Sequence, residues 1–368
     1  MVSMLIIFYS LALLVLTVYS YCLLDPNITF FSNNLWTIFR EKMVYLGYYQ
    51  RNTSWIIYLS LLIILFLTNY FFLKKYKQYS AIKIALTTGL ILCLSYPFLS
   101  HDFFNYMFDA KILAFYHQNP YFFKALDFPQ DSWIRFMHWT HRTYPYGPVF
   151  LPITLIPSFL SLGKFLPSFL LFKLSFFGFY FLTVYFLNKI SRKAALFFAT
   201  SPLIIIEGLV NNHNDLIMVA LAIAGIYFLF QKKQWLGKIL ILFSIGIKYV
   251  TAPLLFLSGN KKNKFNLLIF AAQILVLVAL IIKMEIQQWY FLTLFVFLPY
   301  WENIVYDLNL FFAGLLFSYY PYIFLGGWDS QVKMNVKHQI ILVFFAMNII
   351  YLLIKYNKKI CLPKFSKK

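Results

Sequence analysis

The sequence predicts an all-α fold, a polytopic transmembrane helical bundle, and three observations carry that prediction. The 368-residue chain is 61% hydrophobic and 12% charged, against about 25% charged residues in soluble domains. Its mean hydropathy is +0.71. Apolar runs of roughly 18 or more residues recur along it, long enough to cross ~30 Å of hydrocarbon as helix. The alternating segments of an outer-membrane barrel are absent. The expectation is one integral-membrane domain over residues 1–368 with roughly ten to twelve spans.

Residues 4–24 read as the first span rather than a cleaved signal, because no basic segment precedes an apolar stretch this long. Residues 25–53 form a polar loop with two N-glycosylation sequons, at Asn27 and Asn52, which carry meaning only in a eukaryote. Residues 54–73 and 81–98 are the next spans. Residues 98–148 then form a large loop carrying interfacial helices, with 102–117 read as an amphipathic helix along the membrane boundary.

Pro152, Pro157, Pro167 and Gly163 break residues 149–187 into a half-spanning helix and a full span from 168. Residues 194–209 and 216–230 form a hairpin. The stretch 236–257 starts and ends beside lysines yet is too short to cross twice at ~1.5 Å per residue. Gly246, Lys248 and Pro253 therefore suggest two half-length helices meeting at Lys248 inside the bundle. Residues 265–282, 310–325 and 340–354 are further spans, and 287–309 is not assigned. No inverted repeat is visible.

The net charge of +20 does not indicate nucleic acid. The lysines cluster at the ends of apolar runs, as in Lys74, Lys75 and Lys77, Lys232 and Lys233, and the basic tail 355–368. That is the positive-inside bias, with anionic membrane lipids as partner. It puts the tail in the cytosol, and the 98–148 loop on the non-cytosolic side of the inner membrane if the cell is prokaryotic. Cys22, Cys93 and Cys361 have no metal-ligand or disulfide pattern. His117, His138 and His141 read as solvated loop side chains. No metal and no cofactor are expected.

Polar residues in so apolar a chain mark the chemistry. The 98–148 loop holds four of the twelve acids, Asp102, Asp109, Asp127 and Asp131. Asp102 follows the third span, where a half-buried carboxylate is either a tuned base or a helix N-terminal charge. Asn105 and Tyr106 share its helix, and Asp109 is read as structural, paired with Lys111 or an arginine. Arg135 and Arg142 suit phosphate. Asn119 and Tyr146 belong to the turn motifs Asn-Pro-Tyr (119–121) and Tyr-Pro-Tyr-Gly-Pro (144–148). Glu207 sits in the last apolar turn before Asn211-Asn-His-Asn-Asp215, where a plain hairpin needs no acid. Lys248 is an ammonium within an apolar stretch, placed to meet a lipid phosphate.

At four stretches, 101–121, 144–148, 201–218 and 246–256, the sequence resembles the GT-C superfamily of polyprenol-phosphate-sugar-dependent glycosyltransferases, in particular the bacterial α-mannosyltransferase-like group. The first stretch resembles that family's Asp-x-x-x-Tyr…Gly-x-Asn-Pro-Tyr loop and the third its Asn-Pro-Leu…Glu…His-Asn-Asp hairpin. The resemblance covers about residues 99–257. It implies Asp102 as catalytic base, a polyprenyl-phosphate-sugar donor and inverting transfer on the non-cytosolic face. Here His117 stands where the family has glycine, and the first loops hold no Asp-Asp or Asp-x-Asp pair.

The expected function is transfer of one sugar, mannose or another hexose, to a lipid- or glycan-linked acceptor. Lys248, Arg135 and Arg142 would hold the donor phosphate. Glu207, His213, Asn214, Asp215, Asn105, Tyr106, Asn119 and Tyr146 would position the sugar or the loop. The alternatives are a flippase or transporter of a lipid-linked or anionic glycan, or an oligosaccharide ligase of related fold.

Overall fold

A computed structural model describes residues 2–360; its regular elements are all helical, with no strand among the described residues. Five helices are long and apolar enough to cross a membrane unbroken: Ser3–Leu23, Arg51–Lys74, Phe165–Ile190, Phe265–Lys283 and Gln331–Asn357. The pair Arg192–Thr200 and Ile204–Val210 has the length and composition of a sixth when taken together, but it is bent by 67° at the break that holds Pro202, the geometry of a broken span or a re-entrant loop. The protein is an integral-membrane helical bundle.

Fewer helices pass by length and composition among the described residues than the ten to twelve spans expected, and four further apolar helices are shorter. Composition alone scores half-helices as spans. Ala81–Leu92, Phe150–Leu160, Asp215–Phe230 and Gln234–Ile245 are apolar but only 11 to 16 residues long. At ~1.5 Å per residue they cover roughly 16–24 Å, less than the hydrocarbon thickness. Their ends bring polar loops into the bundle, and that is where the candidate site forms.

The Asp215–Phe230 helix is the hub. It is apolar on every side and buried along most of its length, as a helix surrounded by others must be. It packs between Phe165–Ile190 and Gln234–Ile245. The approach to the latter is close: a Cβ on Gly225 would lie 2.7 Å from the Gly237 carbonyl oxygen. By contrast, the last helix, Gln331–Ile360, turns Leu342, Val343, Ile350 and Leu353 outward, the surface a hydrocarbon solvent would cover. Beyond residue 360 the expected basic tail lies outside the described residues.

The two expected breaks are present. Phe150–Leu160 is short and is followed by the full-length Phe165–Ile190. Gln234–Ile245 gives way at Gly246 to a 3-10 helix, Tyr249–Phe256, so Lys248 stands at the junction. The unassigned stretch holds a 3-10 helix, Gln288–Phe297, and the helix Leu298–Tyr306, kinked at Trp301.

The helix expected as amphipathic over 102–117 is Asp102–Ala114, and every residue from Phe103 to Ile112 is buried within the protein. Phe103, Phe104, Met107 and Phe108 share one side, Asp102, Asn105 and Asp109 the other, and the loop that follows folds back so that the polar side is covered as well. Lys111 anchors that cover through an ion pair to Asp131 at 2.5 Å, and Tyr116 donates to the same carboxylate at 2.7 Å. Lys111 is thus not the partner of Asp109.

Candidate active site

Two carboxylates open two helices and face a common space. Asp102 is the first residue of Asp102–Ala114, and Asp215 is the first residue of the hub helix. Acids are favoured at helix N-termini, where unpaired N–H groups leave positive partial charge. Beside Asp102 sits His213, fully buried, with Nδ1 3.9 Å from Asp102 Oδ2 and Nε2 3.4 Å from Glu207 Oε2. The imidazole therefore lies between two carboxylates. Only one of these is reachable: the Asp102 side chain is 19% exposed, whereas Glu207 is wholly buried.

The hairpin carrying Glu207 and His213 is tied down from three directions. Asn211 donates to Glu207 at 3.1 Å and accepts from the Leu99 amide at 3.3 Å, linking the hairpin to the approach to Asp102. Lys173, buried within its span, donates to the carbonyls of Leu209 and Val210 and to Ser95 Oγ. Trp289 stacks on His213, with ring centroids 3.8 Å apart and planes 13° from parallel.

Lys248 supplies a cation beside this group. Its Nζ is 2.5 Å from Asp215 Oδ2 and 5.6 Å from the centre of the Tyr290 ring, and its side chain remains 21% exposed. The break that carries Lys248 is pinned to the Tyr-Pro-Tyr-Gly-Pro segment: Gly147 N–H donates to the Ile247 carbonyl and Val149 N–H to the Gly246 carbonyl. A second cation, Arg142, donates from Nη2 to Tyr146 Oη at 3.1 Å. The Tyr146 ring packs edge-on against Tyr106, and Asn105 Nδ2 donates to the Trp139 carbonyl at 3.3 Å.

Electrostatics follow from burial. Desolvation pushes the Asp102 carboxyl up; Arg142 and Lys248 oppose this and Asp215 adds to it. Burial drives His213 well below its ordinary range, helped by Lys248, so the ring is neutral. Burial raises Asp109 to about 7, against the pull of Arg142. Arg142 is thus the arginine whose field Asp109 feels, though no ion pair forms between them.

Most of the expected site residues come together: Asp102, Asn105, Tyr106, Arg142, Tyr146, Glu207, His213, Asn214, Asp215 and Lys248. Two do not. Asn119 is exposed and uses its side chain to close its own turn, accepting from the Tyr121 amide at 3.0 Å. Arg135 is exposed on the Ser132–Phe136 turn, and no hydrogen bond or ion pair joins it to the others. Asn119 belongs to a turn motif and Arg135 suits phosphate by its side chain, and the loop's fold turns both outward.

Sequence reasoning missed Lys173, Trp139 and Trp289. Lys173 carried a signal, since it is a lone ammonium in an apolar run just as Lys248 is. Trp139 favours the charged form of the Asp102 carboxyl and accepts from Asn105 through its carbonyl, but it looks in sequence like any loop aromatic. Trp289 lies in the stretch left unassigned.

No curated protein and no solved structure matches the chain. Residues 1–259 match the family model described as alpha-(1->6)-mannopyranosyltransferase, N-terminal domain, a span that includes Asp102, Glu207, His213, Asp215 and Lys248, and the chain belongs to this mannosyltransferase family.

Proposed function

We propose that this mannosyltransferase-family protein is a GT-C-type enzyme that transfers one mannosyl or related hexosyl unit from a polyprenyl-phosphate carrier to a lipid- or glycan-linked acceptor, with inversion, on the non-cytosolic face of the membrane. The observation that carries the reading is the position of Asp102, the exposed carboxylate of the Asp102–His213–Glu207 row, with Lys248 and Arg142 contributing to its field.

In the proposed step, an Asp102 carboxylate oxygen takes the proton of the acceptor hydroxyl. The acceptor oxygen attacks the anomeric carbon from the face opposite the phosphate, forming the new glycosidic bond. The bond between that carbon and the phosphate oxygen breaks, and its electron pair leaves with the polyprenyl phosphate. The leaving group gains a charge rather than needing a proton, so cations are what it requires. Lys248 and Arg142 fill that role, and Arg135 drops out of it. His213, held between Asp102 and Glu207, positions the base. The buried amides of Asn212 and Asn214 have no protein hydrogen-bond partner; left so, each costs ~1–3 kcal/mol, and sugar hydroxyls would satisfy them.

The test is transfer of radiolabelled mannose by purified protein from a mannosyl phosphoryl polyprenol donor. Transfer from that donor, but not from a nucleotide sugar, is expected. Asp102→Asn should lose at least about a hundredfold in rate; full turnover by that variant would overturn the assignment of the base.

A further inference from the structure

Next to Asp102 lies a second cluster, made by three separate segments. Asp25 follows the first span, His101 immediately precedes Asp102, and His138 comes from the loop that covers the Asp102 helix. One ligand-type atom from each of the three lies within 4.8 Å of the others. His101 is only 8% exposed, and its Nε2 is buried with no hydrogen-bond partner. A buried ring nitrogen without a partner costs free energy, and nothing on neighbouring helices offsets it. His138 is the exposed member and stacks on His101 at 3.6 Å between centroids, with planes 16° apart.

We propose that Asp25, His101 and His138 form a binding site for a divalent transition metal ion, Zn²⁺ or Mn²⁺ in class, that fixes the position of Asp102. Two imidazoles and one carboxylate are a borderline donor set; Mg²⁺ and Ca²⁺ prefer all-oxygen shells. Three protein ligands leave a coordination position open to water or an anionic oxygen.

The geometry is one contraction away from ligation. Metal–nitrogen bonds of about 2.0–2.1 Å place ligand atoms on a shared ion roughly 3–3.5 Å apart, so a pair at the 4.8 Å limit would have to close by no more than about 1.5–2 Å. Parallel stacked rings cannot both aim a nitrogen lone pair at one ion, so one ring must turn. His138 can turn, because it is exposed. Asp25 is already oriented: its Oδ1 accepts from the Asn27 amide at 2.8 Å, and its own amide donates to Tyr96 Oη at 3.2 Å.

The consequence for Asp102 is direct. An ion here joins the first loop, the start of the Asp102 helix and the segment carrying Trp139, whose carbonyl accepts from Asn105. His101 acts through the backbone on its neighbour and is a positioning residue rather than a catalytic one.

The experiment uses the full chain, purified in detergent with any histidine tag removed, stripped with chelator, and titrated with Zn²⁺, Mn²⁺ and, as a spectroscopic probe, Co²⁺. About one ion per chain is expected, with the visible Co²⁺ absorption of a mixed nitrogen and oxygen site. Asp25→Asn, His101→Gln and His138→Gln should each weaken binding at least about tenfold. His138→Gln is at an exposed position, so its loss of metal with an unchanged unfolding temperature separates ligation from misfolding. Asp102→Asn should bind metal as the wild type does, whatever its effect on transfer, which keeps this outcome separate from that of the proposed reaction. Failure to bind any of the three ions at micromolar concentration, or unchanged binding in all three ligand variants, would overturn the proposal.

Discussion

The imidazole of His213 lies flat against the indole of Trp289, 3.8 Å between centroids. This contact sets the ring plane in which His213 meets Asp102 on one side and Glu207 on the other. It also brings the C-terminal part of the chain into the site, since Trp289 lies beyond the 1–259 segment matched by the family. Stacking of this kind is worth ~0.5–1.5 kcal/mol beyond area burial, or up to about tenfold in rate. Trp289→Ala should therefore lower mannosyl transfer several-fold to about tenfold, and Trp289→Phe should retain most of it. Equal rates for wild type and Trp289→Ala would remove the indole from the site.

Gly147 is where two backbones touch. A Cβ there would lie 2.2 Å from the Gly246 carbonyl oxygen, and backbone atoms cannot step aside as a side-chain tip can. Gly147→Ala must push the Tyr-Pro-Tyr-Gly-Pro segment off the helix break that carries Lys248, at a cost on the order of 1–3 kcal/mol. The expected result is a lower unfolding temperature and a rise in donor KM, because Lys248 and Arg142 are displaced together. Pro148→Ala, at an exposed neighbouring position, serves as the control: it should lower the unfolding temperature only by the ~0.4–1 kcal/mol that a freer unfolded chain costs and leave donor KM unchanged.

Lys173 holds the end of the Ile204–Val210 π-helix by donating to two of its carbonyls. Helix C-termini carry unpaired acceptors and negative partial charge, and a buried ammonium answers both. Lys173→Met keeps the stem's bulk but strands those oxygens, at ~1–3 kcal/mol each. Thermal unfolding in detergent should shift down by several degrees, and transfer should fall because the hairpin loses one of its three ties. A Lys173→Met protein as stable as wild type would show that the carbonyls find another donor.

What could be read from the sequence divides along physical lines. Membrane insertion was legible because hydrophobic runs have to match bilayer thickness. The break at Lys248 was legible because too few residues separate its flanking lysines to cross twice. Asp102, Glu207, His213 and Asp215 stood out because polar groups in apolar chains are costly and are kept for a reason. The burial of the Asp102 helix was misread. Two acids and an asparagine suggested a wet face, and they do share one side of the helix, opposite its phenylalanines, but that side is buried too: Asn105 donates to the Trp139 carbonyl and Asp109 lies in the field of Arg142. The Lys111–Asp131 pair and the Asp25, His101 and His138 cluster join residues from different segments, and no local pattern encodes such meetings. Span number is hard to read for a different reason: half-helices and full helices have the same composition and differ only in where their breaks fall.

His117 holds a conformation that side chains rarely adopt. Its φ is +55°, the left-handed region that glycine occupies freely. A side chain there costs ~1–2 kcal/mol. Glycine would remove this strain but lose ~0.5–1 kcal/mol to a more flexible unfolded chain. His117→Gly should thus leave the unfolding temperature equal or slightly higher, and His117→Val, β-branched and intolerant of positive φ, should lower it. A stabilising valine would contradict the left-handed assignment.

Asp109 gives the protein a pH dependence of calculable sign. Its carboxyl is raised from 3.8 to about 7, first by burial, with Arg142 pulling down and Asp102 pushing up. Between those values the unfolded chain has lost the proton while the folded chain keeps it. Folding then takes up a proton, so stability falls as pH rises through the window and levels off above about 7. Three units correspond to an upper limit on the order of 4 kcal/mol. Asp109→Asn removes the titration and keeps the shape, so its unfolding temperature relative to wild type should climb from pH 5 to pH 8 and then stay level. Arg142→Gln should act in the opposite sense on the wild-type background, steepening the loss by removing the one cation that favours the charged form. Parallel unfolding curves for wild type and Asp109→Asn from pH 5 to pH 8 would mean that Asp109 ionises normally and that water reaches it beneath the loop anchored by Lys111 and Asp131.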